Sequence, residues 1–429
     1  VAAAAAAVSE RSRLAEAWAW NETIFKRGPD ECPTLKAPTT AAAAAASAAG
    51  SPLRRPKATT AWFMSIAKPD DAVSETYAQF AKAATTSARL NAPSLAPYFV
   101  YTYLPHQKES DDDLARWLTK AGTRVVRWRL SFWDAIPVSV RSSRQSHVNV
   151  GAFGRLDVPL LVRTHLRSEF ERRGLSTRFV LYTDADVMFA RDWPAHSELF
   201  KCRRCFRGWP GPKCCRDPLA PNEPEHFLAG TEVFAIWALN SGVMLMNVDA
   251  MLDRRQRLLD YASAKHWNFV MYDQGLLEHF YKNNSKQLWD SFDDALYNAR
   301  GFMKWHRGQL QGDDSSPIVW HWHGYKPYDV RCWLDNLRQG RLGLPEASSA
   351  IKRPSGVEAM LRASKKVGCR GSLNARLLLH ECSLHLYLRL LAMYYRLLDQ
   401  ADTLFFSEEE AATTTTAGGV TNTAILAPE

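Results

Sequence analysis

Apolar residues along this chain alternate between short unbroken runs and longer stretches where they recur every three or four positions. Ala61–Ala67 is the first such run, halted by Lys68-Pro69-Asp70-Asp71, and it predicts a strand followed by a turn. Tyr77, Phe80, Ala81, Ala84 and Ala88 then sit at helical spacing over residues 74–89, and Asn91-Ala92-Pro93 closes that helix. Pro97–Tyr103 predicts a second strand, and Ser110–Asp113 caps a helix that carries Leu114, Trp117 and Leu118. Gly122 ends it, and Arg124–Leu130 predicts a third strand. A helix over 151–173, with Leu160, Leu161, Thr164 and Phe170 facing inward, leads into the apolar run Phe179–Phe189. Strands and helices alternating at these intervals build βαβ units, so the fold class is α/β with a Rossmann-like, mostly parallel sheet and helices on both faces.

The second half keeps the alternation with polar groups set into it. Ile236–Asn247 is an apolar run interrupted near its start by Asn240, Ser241 and Gly242, which suits a backbone passing close to a ligand and equally a bulge. Helices are expected over 254–263 and from Met271 onward, the latter with Asp273 and Gln274 in its first turn. Ile318–Pro327 reads as a strand ending in an imidazole-rich turn with one lysine. Three regions follow: a low-complexity stem over 1–60 with alanine runs at 2–7 and 41–46, a domain over 61–335, and a C-terminal helical extension with a tail over 336–429. The broad apolar face of residues 372–398 is expected to pack on the domain rather than lie on a membrane.

Composition narrows the function. With 429 residues, 46% hydrophobic and 23% charged, the chain has the makings of a large globular core. A net charge of +9 suits anionic partners such as phosphate-bearing substrates, but no basic block dominates, so no nucleic-acid partner is expected. No run of 18 apolar residues marks a membrane span, and a start at Val1 rather than Met leaves room for a membrane anchor upstream. Four of the eight cysteines, Cys202, Cys205, Cys214 and Cys215, crowd into one Pro/Gly-rich basic segment. They suit a zinc knuckle or a disulfide-stapled loop, and the adjacent pair at 214–215 favours disulfides or free thiols over a tetrahedral ion. Acceptor sequons at Asn21 and Asn283 agree with a secretory lumen.

The candidate chemistry starts at Asp184-Ala185-Asp186, at the end of the central apolar run. Positions i and i+2 of an extended chain share a face, so both carboxylates can grip one hard divalent cation, Mn²⁺ or Mg²⁺, together with substrate phosphate oxygens. An ordinary strand end with two solvated acids is the plain alternative, and Asp273 has its own, as a helix cap. His321, His323 and Lys326 arrive together at another strand end. A metal, a lysine and amide side chains suit group transfer from a diphosphate, which needs positioning and electrostatics more than a strong base.

These residues resemble a family. Tyr182-Thr-Asp-Ala-Asp-Val187, Leu239-Asn-Ser-Gly-Val-Met-Leu-Met-Asn247, Tyr272-Asp-Gln274 and His321-Trp-His-Gly-Tyr-Lys-Pro327 recur in the order seen in GT-A fold nucleotide-diphospho-sugar transferases, and look most like glycosyltransferase family 8. The resemblance covers about 60–335 and implies a metal-dependent glycosyltransferase acting from a UDP-sugar, with retention of anomeric configuration, on a carbohydrate, lipid or protein acceptor in the Golgi lumen. It implies metal ligands Asp184, Asp186 and His321, with His323 the competing imidazole. Lys326 would meet the diphosphate, Arg155 and more weakly Asp157 the donor, and Asp71 would lie near the base. Asn240 and Asp273 would bind sugar hydroxyls, and Gln274 would lie near the anomeric face opposite the leaving group. Tyr328 stands where the family commonly has Trp, Gly275 and Glu278 also depart from its pattern, and the cysteine-rich insert at 194–232 has no counterpart in it. Two other functions compete: a catalytically silent nucleotide-sugar-binding module of the same fold, and a zinc-dependent nucleic-acid binder.

Overall fold

The structure, a computed structural model, describes residues 57–67, 73–103, 112–141, 146–199, 226–231, 239–269, 272–283, 286–287, 289–291, 294–299, 317–322, 326–327 and 381–405. Asp71, His323, the four clustered cysteines, most of the stem and the threonine-rich tail lie outside them.

The first strands and helices fall where periodicity places them. β1 (Thr60–Ala67), α1 (Val73–Asn91), β2 (Leu95–Thr102), α2 (Asp113–Lys120) and β3 (Arg124–Trp128) form two successive βαβ units. Asp112 is the N-cap of α2, accepting from the Ala115 N–H at 2.8 Å. The stretch expected as one helix over 151–173 is three pieces: α3 (Ser146–Leu161), a π turn over Val162–Leu166, and α4 (Arg167–Arg173). Pro159 lies inside α3, where its missing N–H and its ring interrupt the ladder in the turn before it, and the π turn begins three residues further on.

β4 (Phe179–Thr183), β5 (Val187–Phe189), β6 (Phe227–Thr231), β7 (Leu239–Asn247), α5 (Val248–Ala264), α6 (Asp273–Tyr281), β8 (Asp290–Ser291), β9 (Val319–His321) and α7 (Glu381–Phe405) complete the described elements used below. Seven strands make one sheet in the order β8-β6-β7-β4-β1-β2-β3, and β5 pairs with β9 in a second, two-stranded sheet. Neighbours run parallel except where β7 pairs with β6 and β4. The expected mostly parallel α/β sheet is therefore present, with one strand reversed in it.

β1 is buried along its whole length because both faces are covered. Trp62, Met64 and Ile66 enter the layer with α1, α2 and α7, whereas Ala61, Phe63 and Ala67 enter the layer with α3, α5 and α6. The C-terminal helix does not stand apart. Leu390, Leu391, Tyr394 and Leu397 are buried in the first layer, with Tyr394 5.8 Å from Phe80 and Phe405 5.4 Å from Trp117. Among the described residues no helix is long and apolar enough to cross a membrane.

Three contacts place the site. Strand order reverses direction between β1 and β4, which puts a crevice at their C-terminal ends. α3 lies close over β1 because Gly154 has no side chain; a Cβ there would stand 2.7 Å from Ser65 Oγ. α1 holds β5, with Phe189 N–H donating to Ser87 Oγ at 3.0 Å and Asn91 Nδ2 donating to the Phe189 carbonyl at 2.8 Å.

Candidate active site

The run expected as one strand over 179–189 breaks at the carboxylates. Asp184 N–H still donates to the Gly242 carbonyl at 2.8 Å, continuing the β4–β7 pairing, but Asp186 offers its carbonyl to Trp322 N–H at 2.9 Å, beginning the pairing of β5 with β9. The chain changes partner between the two acids and bends there. They converge through that bend, not through strand alternation. Asp184 is about a third exposed, and Asp186 is nearly enclosed.

β9 brings the third ligand. His321 Nε2 lies 3.5 Å from Asp186 Oδ1 and 3.8 Å from Asp184 Oδ2, and one ligand atom from each residue fits within a 4.8 Å span. An ion with bonds of about 2.1 Å sets adjacent ligand atoms about 3 Å apart, so side-chain shifts of roughly 0.5–1 Å or more would be needed to close this set on Mn²⁺ or Mg²⁺. The donor set fits the ion, two hard oxygens and one imidazole nitrogen. Gly242 makes the space: a Cβ there would stand 2.2 Å from His321 Cε1 and 2.9 Å from Asp184 Oδ2. The bulge expected as the alternative at this glycine is present, since the pairing of β7 with β6 shifts register between Asn240 and Met244, and it lies beside His321 and Asp184.

Two cations, Arg155 buried and Lys326 partly so, organise the acids. Arg155 reaches from α3 beneath the end of β4, donating Nη2 to Asp184 at 2.7 Å and pairing Nε with Asp273 at 2.8 Å. It also donates to the carbonyls of Ala152 and Ser241, and its guanidinium lies 4.7 Å over the Tyr182 ring. Burial alone would lower the Arg155 pKa, but Asp273 and Asp184 more than offset it, and the group stays charged. Lys326 donates to Asp186 and, at 2.9 Å, to the Trp322 carbonyl. Burial would raise the Asp186 pKa, yet Lys326 holds it far below the carboxylate range, while Asp186 lifts Lys326 to about 12 against the effect of its own burial.

Asp273 does not cap its helix. Tyr272 occupies the cap position at φ 53° and ψ −110°, a strained backbone costing on the order of 1–3 kcal/mol. That turn directs Asp273 to Arg155 and, at 3.3 Å, to Ser241 Oγ. Burial raises the Asp273 pKa, with Arg155 working against it. Gln274 Oε1 accepts from Ser241 N–H at 3.2 Å and from Asn240 Nδ2 at 3.3 Å. Three carboxylates, Asp184, Asp186 and Asp273, thus meet two cations, Arg155 and Lys326, in one cluster.

Most of the residues singled out in the sequence therefore meet: Arg155, Asp184, Asp186, Asn240, Asp273, Gln274, His321 and Lys326 form one connected cluster. Asp157 does not join it. Two residues beyond Arg155 on α3, it is buried and accepts from Trp128 Nε1, Ser131 N–H, Ser131 Oγ and Arg255 at 2.6–2.8 Å. It ties the exit of β3 to α5.

No family model matches the chain, and no curated protein does. Solved structures do match. The glycosyltransferase GlyE of Streptococcus pneumoniae TIGR4 is 18% identical over 63% of this chain and 56% of its own, with a TM-score of 0.38. Galactosyltransferase LgtC, solved with donor and acceptor sugar analogs, is 14% identical over 63% of this chain and 89% of its own, with a TM-score of 0.36. Mouse xyloside xylosyltransferase 1 is 12% identical over 62% of this chain and 98% of its own, with a TM-score of 0.37. All three carry transferase names. This chain spans little more than half the length of GlyE.

Sequence reasoning missed Asn298. It is wholly buried, and its Oδ1 lies 2.8 Å from His321 Nδ1. Nothing in Tyr297-Asn298-Ala299 forms a motif; the position is set by pairing, with Ala299 N–H donating to the Val319 carbonyl and His321 N–H to the Ala299 carbonyl. Trp322, whose backbone holds both Asp186 and Lys326, was likewise legible only as part of a motif.

Proposed function

We propose that this protein is a glycosyltransferase that moves a sugar from a nucleotide-diphosphate donor, a UDP-sugar in our reading, to a carbohydrate, lipid or protein acceptor. The observation that carries the reading is the convergence of Asp184, Asp186 and His321, with Lys326 beside them, at the C-terminal ends of the central strands. These three residues would hold Mn²⁺ or Mg²⁺, which when bound supplies Lewis-acid stabilisation of a leaving diphosphate.

The chain's own residues would do the rest. Lys326, beside Asp186, would place a positive charge next to the departing nucleotide. Arg155 would hold Asp184 and Asp273 at fixed separation, a positioning role that replaces direct contact with the donor. Asn240 and Asp273 would offer a polar shelf for sugar hydroxyls. Gln274 has both acceptor directions of Oε1 taken by Ser241 and Asn240, which disfavours attack by that oxygen on the anomeric carbon. That supports retention by departure and attack on one face. The sequons and the cysteine cluster are our grounds for placing the reaction in the secretory pathway, in the Golgi lumen.

The direct test is release of free nucleotide from a panel of UDP- and GDP-sugars, with Mn²⁺ and with a chelator. Release from one donor that the chelator abolishes is the expected result. Tight binding of a nucleotide-sugar with no release, with or without acceptors, would instead favour a silent binding module.

A further inference from the structure

Three amide side chains run from His321 to Gln274, and their polarity is fixed at the backbone. The Gly242 N–H can only donate, and it meets Asn240 Oδ1 at 3.3 Å. The Asn298 amide reaches that same oxygen at 3.2 Å, so its atom there is the NH₂ nitrogen. Its oxygen then faces His321 Nδ1 at 2.8 Å, and an oxygen accepts, so Nδ1 carries the hydrogen. The far end gives the same answer: Ser241 N–H fixes Gln274 Oε1 as an acceptor at 3.2 Å, and the Asn240 nitrogen donates to it at 3.3 Å. Reversing any one amide would set N–H against N–H or oxygen against oxygen.

The fold also keeps room for the middle member. Gly230 lies against Asn298, and a Cβ there would stand 2.0 Å from Asn298 Nδ2. Asn298 is wholly buried, and its neighbour Ala299 is stitched to β9 on both sides.

We propose that Asn298 is a positioning residue that holds neutral His321 as its Nδ1–H tautomer, turns the Nε2 lone pair toward Asp184 and Asp186, and links the cradle through Asn240 to Gln274. A ligating imidazole is oriented by what its other nitrogen donates to, and loss of that partner typically weakens metal binding about 10–100-fold. The tautomer follows from the hydrogen bonds alone; its consequence for ion affinity rests on the metal reading above.

The test is ¹⁵N NMR of histidine-labelled, metal-free protein near pH 8, with His321 assigned as the signal missing from His321→Gln, alongside Mn²⁺ affinity by EPR. Wild type should show a protonated Nδ1 and an unprotonated Nε2. Asn298→Ala should lose that preference and bind Mn²⁺ about 10–100-fold more weakly. Asn298→Asp keeps an acceptor for Nδ1 and should keep both the tautomer and most of the affinity, although it breaks the link to Asn240. An Nε2–H wild type would overturn the proposal, as would Asn298→Ala with an unchanged tautomer and affinity. Should Asn298→Ala not fold, the wild-type and Asn298→Asp spectra decide. An Nδ1–H wild type that binds no Mn²⁺ would leave the tautomer assignment standing and remove the metal reading.

Discussion

Two buried acid–arginine assemblies hang from α3 two residues apart, and they are built differently. On one side Asp157 is closed: Arg255, Trp128 and both donors of Ser131 take up its two oxygens. On the other, Arg155 is shared between Asp184 and Asp273, and Asp184 remains about a third exposed beside Asp186 and His321. The first cluster has as many donors as its carboxylate can use, so nothing is left for a ligand. The second carries more carboxylates than cations, and one of them, Asp184, still faces outward with room for another partner. Saturation, not burial or perturbed ionisation, separates a structural ion pair from a candidate site here.

That contrast breaks most easily at Asp157. Asp157→Ala strands Arg255, Trp128 Nε1 and Ser131 and should destabilise the protein by about 3–5 kcal/mol, read as a lower urea midpoint at constant m, with Mn²⁺ affinity of the folded protein unchanged. An equal loss of Mn²⁺ binding would merge the two clusters into one. The converse variant is Gly242→Ala, whose methyl group would press on His321 Cε1 and Asp184. It should weaken Mn²⁺ by about 100-fold while costing about 1–3 kcal/mol of stability; unaltered affinity would mean that the ion does not use this space.

The smallest effect concerns a group of a third kind, a partly buried imidazole held neutral. His196 sits against Phe179 with Nε2 3.1 Å from Thr60 Oγ1, and burial lowers its pKa to about 4. The unfolded chain protonates this ring near pH 6.5 and the folded chain only near 4. Its contribution is therefore complete above about pH 6.5 and is lost as pH falls toward 4, amounting to about 2 kcal/mol at pH 5. His196→Gln should flatten the stability profile over that window, and an unchanged slope would show that the ring is not held neutral.

The early βαβ units were legible because β1 and β2 are buried on both faces and α2 on one, so apolar runs and three-to-four spacing map onto β1–β3 and α1–α2, although α1 is buried all round over Ala83–Ala88. The site residues were legible where short motifs bring polar groups to strand ends, as at Asp184, Asp186 and His321. What sequence did not show depends on pairing between distant segments. The bend at Asp184–Asp186 arises because β4 and β5 have different partners, β7 and β9. Asn298 lies beside His321 because Ala299 pairs with Trp320. Asp157 and Arg155 share a helix and a similar local composition, and only the facing residues assign one to architecture and the other to the crevice. The apolar face of α7 announced burial but not its partner, which is α1.

The central claim is that Asp184, Asp186 and His321 close on one ion, and Mn²⁺ titration by EPR tests it without reference to any donor sugar. Wild type should bind one tightly held ion per chain, and Asp186→Asn, checked for native circular dichroism, should lose at least about 100-fold in affinity. Equal binding by the folded variant, or no binding by wild type, would contradict it.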